Sequence, residues 1–227
     1  MSPLSELLNG LSHWGIPVLL AVTLHEAAHG YAAKLFGDTT AERMGRLSLN
    51  PIRHVDPFGT VLLPLMLYFG GGLLFGYAKP VPVQFGALRP LRLGTAMVAL
   101  AGPATNILLA FLSAFFYLHA AHFLPERWIA WTQANLLASF QLNIVLAAFN
   151  LVPIPPLDGS RVIAALLPRP LAARFWQLDR VGFLLVFGLL FLLPLLGQQF
   201  GQDWSFFQRV ITVPADWLRH LLLMILG

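Results

Sequence analysis

LSHWGIPVLLAVTLHEAAHGYAAKL, residues 11–35, is an apolar run that carries His25-Glu26-Ala27-Ala28-His29 beyond its middle. A hydrocarbon core of about 30 Å is crossed by roughly 20 apolar helical residues, so this run is read as a membrane helix. On a helix, residues four apart share a face. Both imidazoles can therefore reach one metal ion, while Glu26 can face a metal-bound water. Those are the requirements of metal-assisted peptide hydrolysis. Ionisable groups inside hydrocarbon are costly and rare unless paired or functional. The alternative is a polar patch packed against another helix.

The composition agrees with a membrane setting. Of 227 residues, 57% are hydrophobic and 11% charged, where a soluble domain has about a quarter charged. The length suits one compact unit, residues 1–227, with a core over 11–167 and C-terminal helices over 168–227. With no cysteine, any metal must be held by nitrogen and oxygen ligands. The net charge of +4 comes from arginines spread over the loops; it reads as a topology signal, and no nucleic-acid partner is expected. The first apolar run lacks the basic start of a signal peptide and is read as a retained helix.

Further apolar segments cover 58–75, 93–123, 131–151 and 181–196, and residues 203–227 form either an interfacial helix or a short final span. Pro64 and Gly70-Gly71-Gly72 make 58–75 poor material for a regular helix. If it spans, the Lys and Arg residues divide evenly between the two sides. If it re-enters, Lys34, Arg43, Arg46, Arg53, Lys79, Arg89, Arg92, Arg161, Arg169, Arg174 and Arg180 share one face, against Arg127, Arg209 and Arg219. The second arrangement obeys the positive-inside rule. The expected fold is an all-α polytopic membrane protein, a bundle of about five to six transmembrane segments with a re-entrant or extended element near the site.

A catalytic zinc site has three protein ligands and an open position. Asp158, in Asn150-Leu151-Val152-Pro153-Ile154-Pro155-Pro156-Leu157-Asp158-Gly159, is the candidate third ligand, because its prolines break the helix and can turn a carboxylate back. The competing reading is a Pro-rich helix exit in which Asp158 caps a helix starting near Ser160.

HEAAH and NLVPIPPLDG together resemble the site-2 protease family of intramembrane zinc metalloproteases. Ala101-Gly102-Pro103-Ala104-Thr105-Asn106 is similar to that family's GPxxN element. The resemblance implies His25, His29 and Asp158 as ligands of a Zn2+ cofactor and Glu26 as general base. It implies Asn150 as hydrogen-bond donor to the substrate carbonyl or the developing oxyanion, a role favoured by low dielectric; the alternative for Asn150 is an interhelical hydrogen bond. The family's PDZ and nucleotide-binding modules are not seen in this compact form.

Other polar residues have two readings each. Lys79, Val81 and Val83, in Lys79-Pro80-Val81-Pro82-Val83-Gln84, are assigned to substrate binding as an edge that pairs with an unwound peptide, or else form an interfacial loop. Asn106 is placed in the same set, and is also expected to tie its helix to the next through Asn143 or Gln141. His54 and Asp56 either add ligands at the mouth or bond loop backbone. His119 and His122 are read as interfacial. The expected function is an endopeptidase cutting transmembrane protein substrates within the bilayer, in a prokaryotic cell membrane with the site toward the cytoplasm. Against it stand a metal transporter or metal-dependent scaffold using the same ligands, and a prenyl-protein type of protease, which takes a later Glu that this chain lacks in its apolar helices.

Overall fold

The computed structural model describes residues 3–62, 66 and 78–226, and among these every regular element is a helix. α1, Pro3–Leu35, contains the HEAAH motif. It stops at Gly37, whose φ of +95° is open to glycine. The Asp38 N–H then reaches Ala33 O at 2.9 Å and the Gly37 N–H reaches Lys34 O at 3.0 Å, which satisfies the carbonyls left free at the helix end. α2, Thr40–Arg43, follows as a single turn. Pro57–Leu62 forms one wide helical turn; the rest of the expected 58–75 segment lies outside the described residues, apart from Met66.

α3, Leu91–Phe123, and α4, Glu126–Asn150, make a long hairpin broken at Leu124-Pro125. α5, Asp158–Leu166, and α6, Arg169–Gln177, are short. α7, Asp179–Gln199, and α8, Phe206–Leu226, complete the chain. α3 and α7 are long and apolar enough to cross a membrane. Large apolar side chains such as Phe116 and Leu184 point outward from them, as expected where the surrounding solvent is lipid.

α3 is the central element, packed on α1, α4 and α5, while α8 lies along α4. The α8 residues that pack inward, Phe207, Ile211, Ala215, Leu218 and Leu222, recur every three or four positions, as one helix face requires. They meet Ala110, Ala114, Phe140, Ile144 and Ala147. Alanines at that seam let backbones approach, and approach is what drives helix association where apolar burial against lipid gains little. Two glycines extend the same principle to the Pro-rich turn. Gly159 lies against Leu151 backbone, and a Cβ on Gly182 of α7 would stand 2.6 Å from Pro155 O. The turn that delivers Asp158 is thus held from both sides by glycine contacts.

Candidate metal centre and active site

α1 and α3 run antiparallel at the centre. His25 Nδ1 lies 2.6 Å from Asn106 Oδ1, and His29 Nδ1 lies 2.7 Å from Val98 O. Between these contacts Gly102 faces both rings, and a Cβ there would stand 2.5 Å from His25 Cε1 and from His29 Nε2. Val98, Gly102 and Asn106 are spaced by four and form one face of α3. The two acceptors also assign the protons. A carbonyl oxygen accepts only, so each Nδ1 carries hydrogen, and each ring when neutral presents its lone pair at Nε2.

Those lone pairs converge. The Nε2 atoms are 3.1 Å apart, and Asp158 Oδ2 lies 3.3 Å from His25 Nε2 and 3.4 Å from His29 Nε2. That oxygen is buried without a hydrogen-bond partner among the described residues. Three electron-rich atoms at such separations repel one another unless a cation lies among them. Ligands about 2.0–2.1 Å from a tetrahedral Zn2+ are separated from each other by about 3.3 Å. The donor set therefore fits a divalent metal, and among the described residues His25, His29 and Asp158 are a group able to hold one. Asp158 opens α5, but Leu157 takes the capping position and no side-chain cap bond is made. The helix-capping alternative for Asp158 is not what the structure shows.

Glu26 faces the segment that follows. Its Oε2 accepts the Val81 N–H at 2.7 Å. Val81 is buried, and its methyl Cγ1 fills the space that a Cβ on Gly30 would need, 2.9 Å away. Pro80 and Pro82 have no N–H, so few donors on this stretch can be spent. One more is used at Gln84, whose N–H donates to Asp38 Oδ2 at 2.6 Å. The segment is tied to α1 at Glu26 and just beyond its end at Asp38.

Asp38, 2% exposed, also accepts from the Thr40 N–H at 2.9 Å and the Thr40 hydroxyl at 2.5 Å. Burial alone raises its carboxyl, but the Thr40 hydroxyl, the Thr40 and Gln84 amides and nearby Arg43 outweigh it and hold it below the usual carboxylate range. A depressed carboxylate contributes stability that is present above its unfolded value of about 3.9 and is lost as pH falls through the lower folded value. Asp38→Ala strands the buried Thr40 amide and frees the more exposed Gln84 amide, and is expected to cost about 1–3 kcal/mol. Thermal unfolding in detergent should show that deficit at pH 7, and the gap to wild type should narrow below about pH 4. A deficit that is the same across that range would remove the charge from this account.

The remaining expected residues fall in distinct places. Asn150 ends α4 and its amide donates to Leu146 O at 3.0 Å, so among the described residues no hydrogen bond joins it to the metal-holding group. Asn106 ties α3 to α4 through Asn143 Oδ1 at 2.7 Å, as expected. It is 0% exposed and lies behind His25, which gives it no substrate-facing surface. His54 Nε2 pairs with Ser48 O at 2.7 Å, and Asp56 accepts from the Phe58 and Gly59 amides, so both serve loop backbone. Lys79 is exposed and its N–H donates to His54 O at 2.9 Å. Val83 is half-buried. His119 stacks on Phe115 and bonds its carbonyl, outside any metal group among the described residues.

Sequence reasoning missed Val98 and Gly102 as partners of the histidines, and missed Asn106 as the partner of His25. The four-residue spacing of Val98, Gly102 and Asn106 was the signal present. A small residue flanked one turn away by a polar one marks where a helix comes close and then bonds.

Comparison with known proteins agrees with this chemistry. Residues 126–195 match Peptidase family M50. YwhC of Bacillus subtilis, named as a candidate zinc metalloprotease, is 44% identical over 184 residues, covering 79% of this chain and 80% of that protein. Rip2 of Mycolicibacterium smegmatis, named likewise, is 32% identical over 162 residues, 68% of this chain and 60% of that protein. MJ0611 of Methanocaldococcus jannaschii, also so named, is 41% identical over 66 residues, 29% of this chain and 31% of that protein. No solved structure matches. The chain belongs to peptidase family M50, the site-2 proteases, whose cofactor is zinc.

Proposed function

We propose that this zinc metalloprotease is an intramembrane endopeptidase that hydrolyses a peptide bond in or near a transmembrane segment of another membrane protein. The observation that carries the reading is the convergence of His25 Nε2, His29 Nε2 and the unpartnered Asp158 Oδ2 beside Glu26, between long apolar helices. His25, His29 and Asp158 would hold the zinc. When bound, zinc supplies a Lewis acid that polarises the scissile carbonyl and lowers the pKa of water.

The protein groups do the rest. Glu26 takes a proton from the attacking water at its carboxylate and delivers it to the leaving amine. The Val81 N–H on Oε2 orients that carboxylate. Asn150 donates to the oxyanion once its amide leaves Leu146 O. A substrate helix must unwind before its backbone can be attacked, and in the stretch Lys79, Val81 and Val83, where Arg46 already bonds the Lys79 carbonyl, the Val81 and Val83 carbonyls and the Val83 N–H are offered for pairing with the unwound chain. The partners are a transmembrane protein and the bilayer. The excess of Lys and Arg in the loops around the end of α1 and the start of α3 favours a site toward the cytoplasmic side of a prokaryotic cell membrane.

The test uses purified protein in proteoliposomes with a panel of fluorescent transmembrane peptides. Expected are products cut inside the apolar segment, lost when a chelator removes zinc and regained when zinc returns. A transporter using the same ligands predicts instead zinc flux across the vesicle wall, with peptides intact. That result would overturn the proposal.

A further inference from the structure

An asparagine side chain has nearly the same shape whichever way its amide points, so its orientation is set by what its neighbours can accept or donate. Behind His25 those neighbours form a line of fixed polarity. Asn143 Nδ2 donates to Ser139 O at 2.8 Å, an acceptor with no hydrogen to give. Asn143 Oδ1 is thereby turned toward Asn106 Nδ2, 2.7 Å away, and Asn106 Oδ1 toward His25 Nδ1, 2.6 Å away. The Ser139 hydroxyl, 3.2 Å from Asn143 Nδ2 and itself receiving the Ser113 hydroxyl at 2.8 Å, closes the line within α3 and α4. Asn106 is 0% and Asn143 1% exposed, so water cannot substitute for either partner.

We propose that Asn143 is a positioning residue of the metal centre: acting through Asn106, it decides which ring nitrogen of His25 is left for the ion. It rests on the reading of His25 as a zinc ligand. Were Asn106 reversed, its NH2 would face His25 Nδ1, the ring proton would sit on Nε2, and the nitrogen facing His29 and Asp158 would have no lone pair to give. Reversal is opposed because it sets Asn106 Oδ1 against Asn143 Oδ1. The Ala21 carbonyl, 3.5 Å from Asn106 Nδ2, acts in the same sense but at the edge of hydrogen-bonding distance. The helix backbone at Ser139 thus sets the tautomer of a ligand two side chains away.

The test compares wild type, His25→Ala, Asn143→Leu, Asn106→Asp and the double variant Asn106→Asp/Asn143→Leu, with Asn143→Ala in reserve should the leucine not pack. Zinc affinity is read by chelator competition, and the His25 tautomer by ring 15N shifts of histidine-labelled, metal-free protein. Asn143→Leu is expected to weaken zinc binding about 10–100-fold, the range for lost outer partners of a ligand, and to shift His25 from the Nδ1–H toward the Nε2–H form. An Asp at 106 accepts from His25 Nδ1 in either orientation and sets its other oxygen against Asn143 Oδ1, so in that background the leucine relieves a repulsion and should not weaken zinc binding. The proposal is overturned if folded Asn143→Leu keeps wild-type affinity and tautomer, or if the loss is equally large beside Asn106→Asp, which would make it a packing effect. Unchanged zinc binding in His25→Ala would overturn the ligand reading beneath it as well.

Discussion

Glu26→Gln is expected to lower the rate of peptide cleavage about 10^3-fold while leaving one zinc bound per chain. The side chains are nearly the same size, and the carboxamide oxygen of the variant can still accept the Val81 N–H that now meets Glu26 Oε2 at 2.7 Å. What disappears is a group able to hold a proton between water and the leaving amine, and general acid–base catalysis of this kind contributes about 10^2–10^4-fold. Zinc is retained because Glu26 is not among the converging atoms, which belong to His25, His29 and Asp158. Paired measurement of cleavage rate and zinc content separates the outcomes. A rate within threefold of wild type would mean that another group moves the proton. Loss of zinc together with activity would mean that Glu26 supports the centre itself.

The parts of this site legible in sequence were those whose spacing is a property of one helix. His25 and His29 are four apart, so their convergence follows from helical geometry before any packing is known. Asp158 was only a candidate until the turn was seen, because prolines can break a helix in many directions. Its direction is settled by contacts that Gly159 and Gly182 make with backbone at Leu151 and Pro155, and such contacts leave no pattern in the chain. Nor did the sequence separate substrate contact from internal support. Asn106 has the same chemistry in either role, and its complete burial behind His25 decides the matter. The prolines at 80 and 82 indicated a non-helical stretch, but they could not reveal that one of its few amides is directed at Glu26.

Gly102→Ala is expected to weaken zinc binding at least about 100-fold, more than loss of any single outer hydrogen bond. The added methyl would stand 2.5 Å from His25 Cε1, 2.5 Å from His29 Nε2 and 2.7 Å from His25 Nε2, about 1 Å inside ordinary van der Waals contact. The rings cannot retreat, because Asn106 Oδ1 and Val98 O hold their far nitrogens at 2.6 and 2.7 Å. Either those bonds break or α1 and α3 move apart, and each change separates the Nε2 atoms from Asp158 Oδ2. Overpacking of this kind costs about 1–3 kcal/mol, so folded protein should still be recovered for metal analysis. Gly15→Ala on α1 is the control, since a Cβ there meets nothing within 4 Å. It should bind zinc as wild type does and be slightly more stable, because alanine is the better helix former. Wild-type zinc affinity in Gly102→Ala would show that the helices stand farther apart than this, and the close approach of α3 to the histidine pair would have to be abandoned.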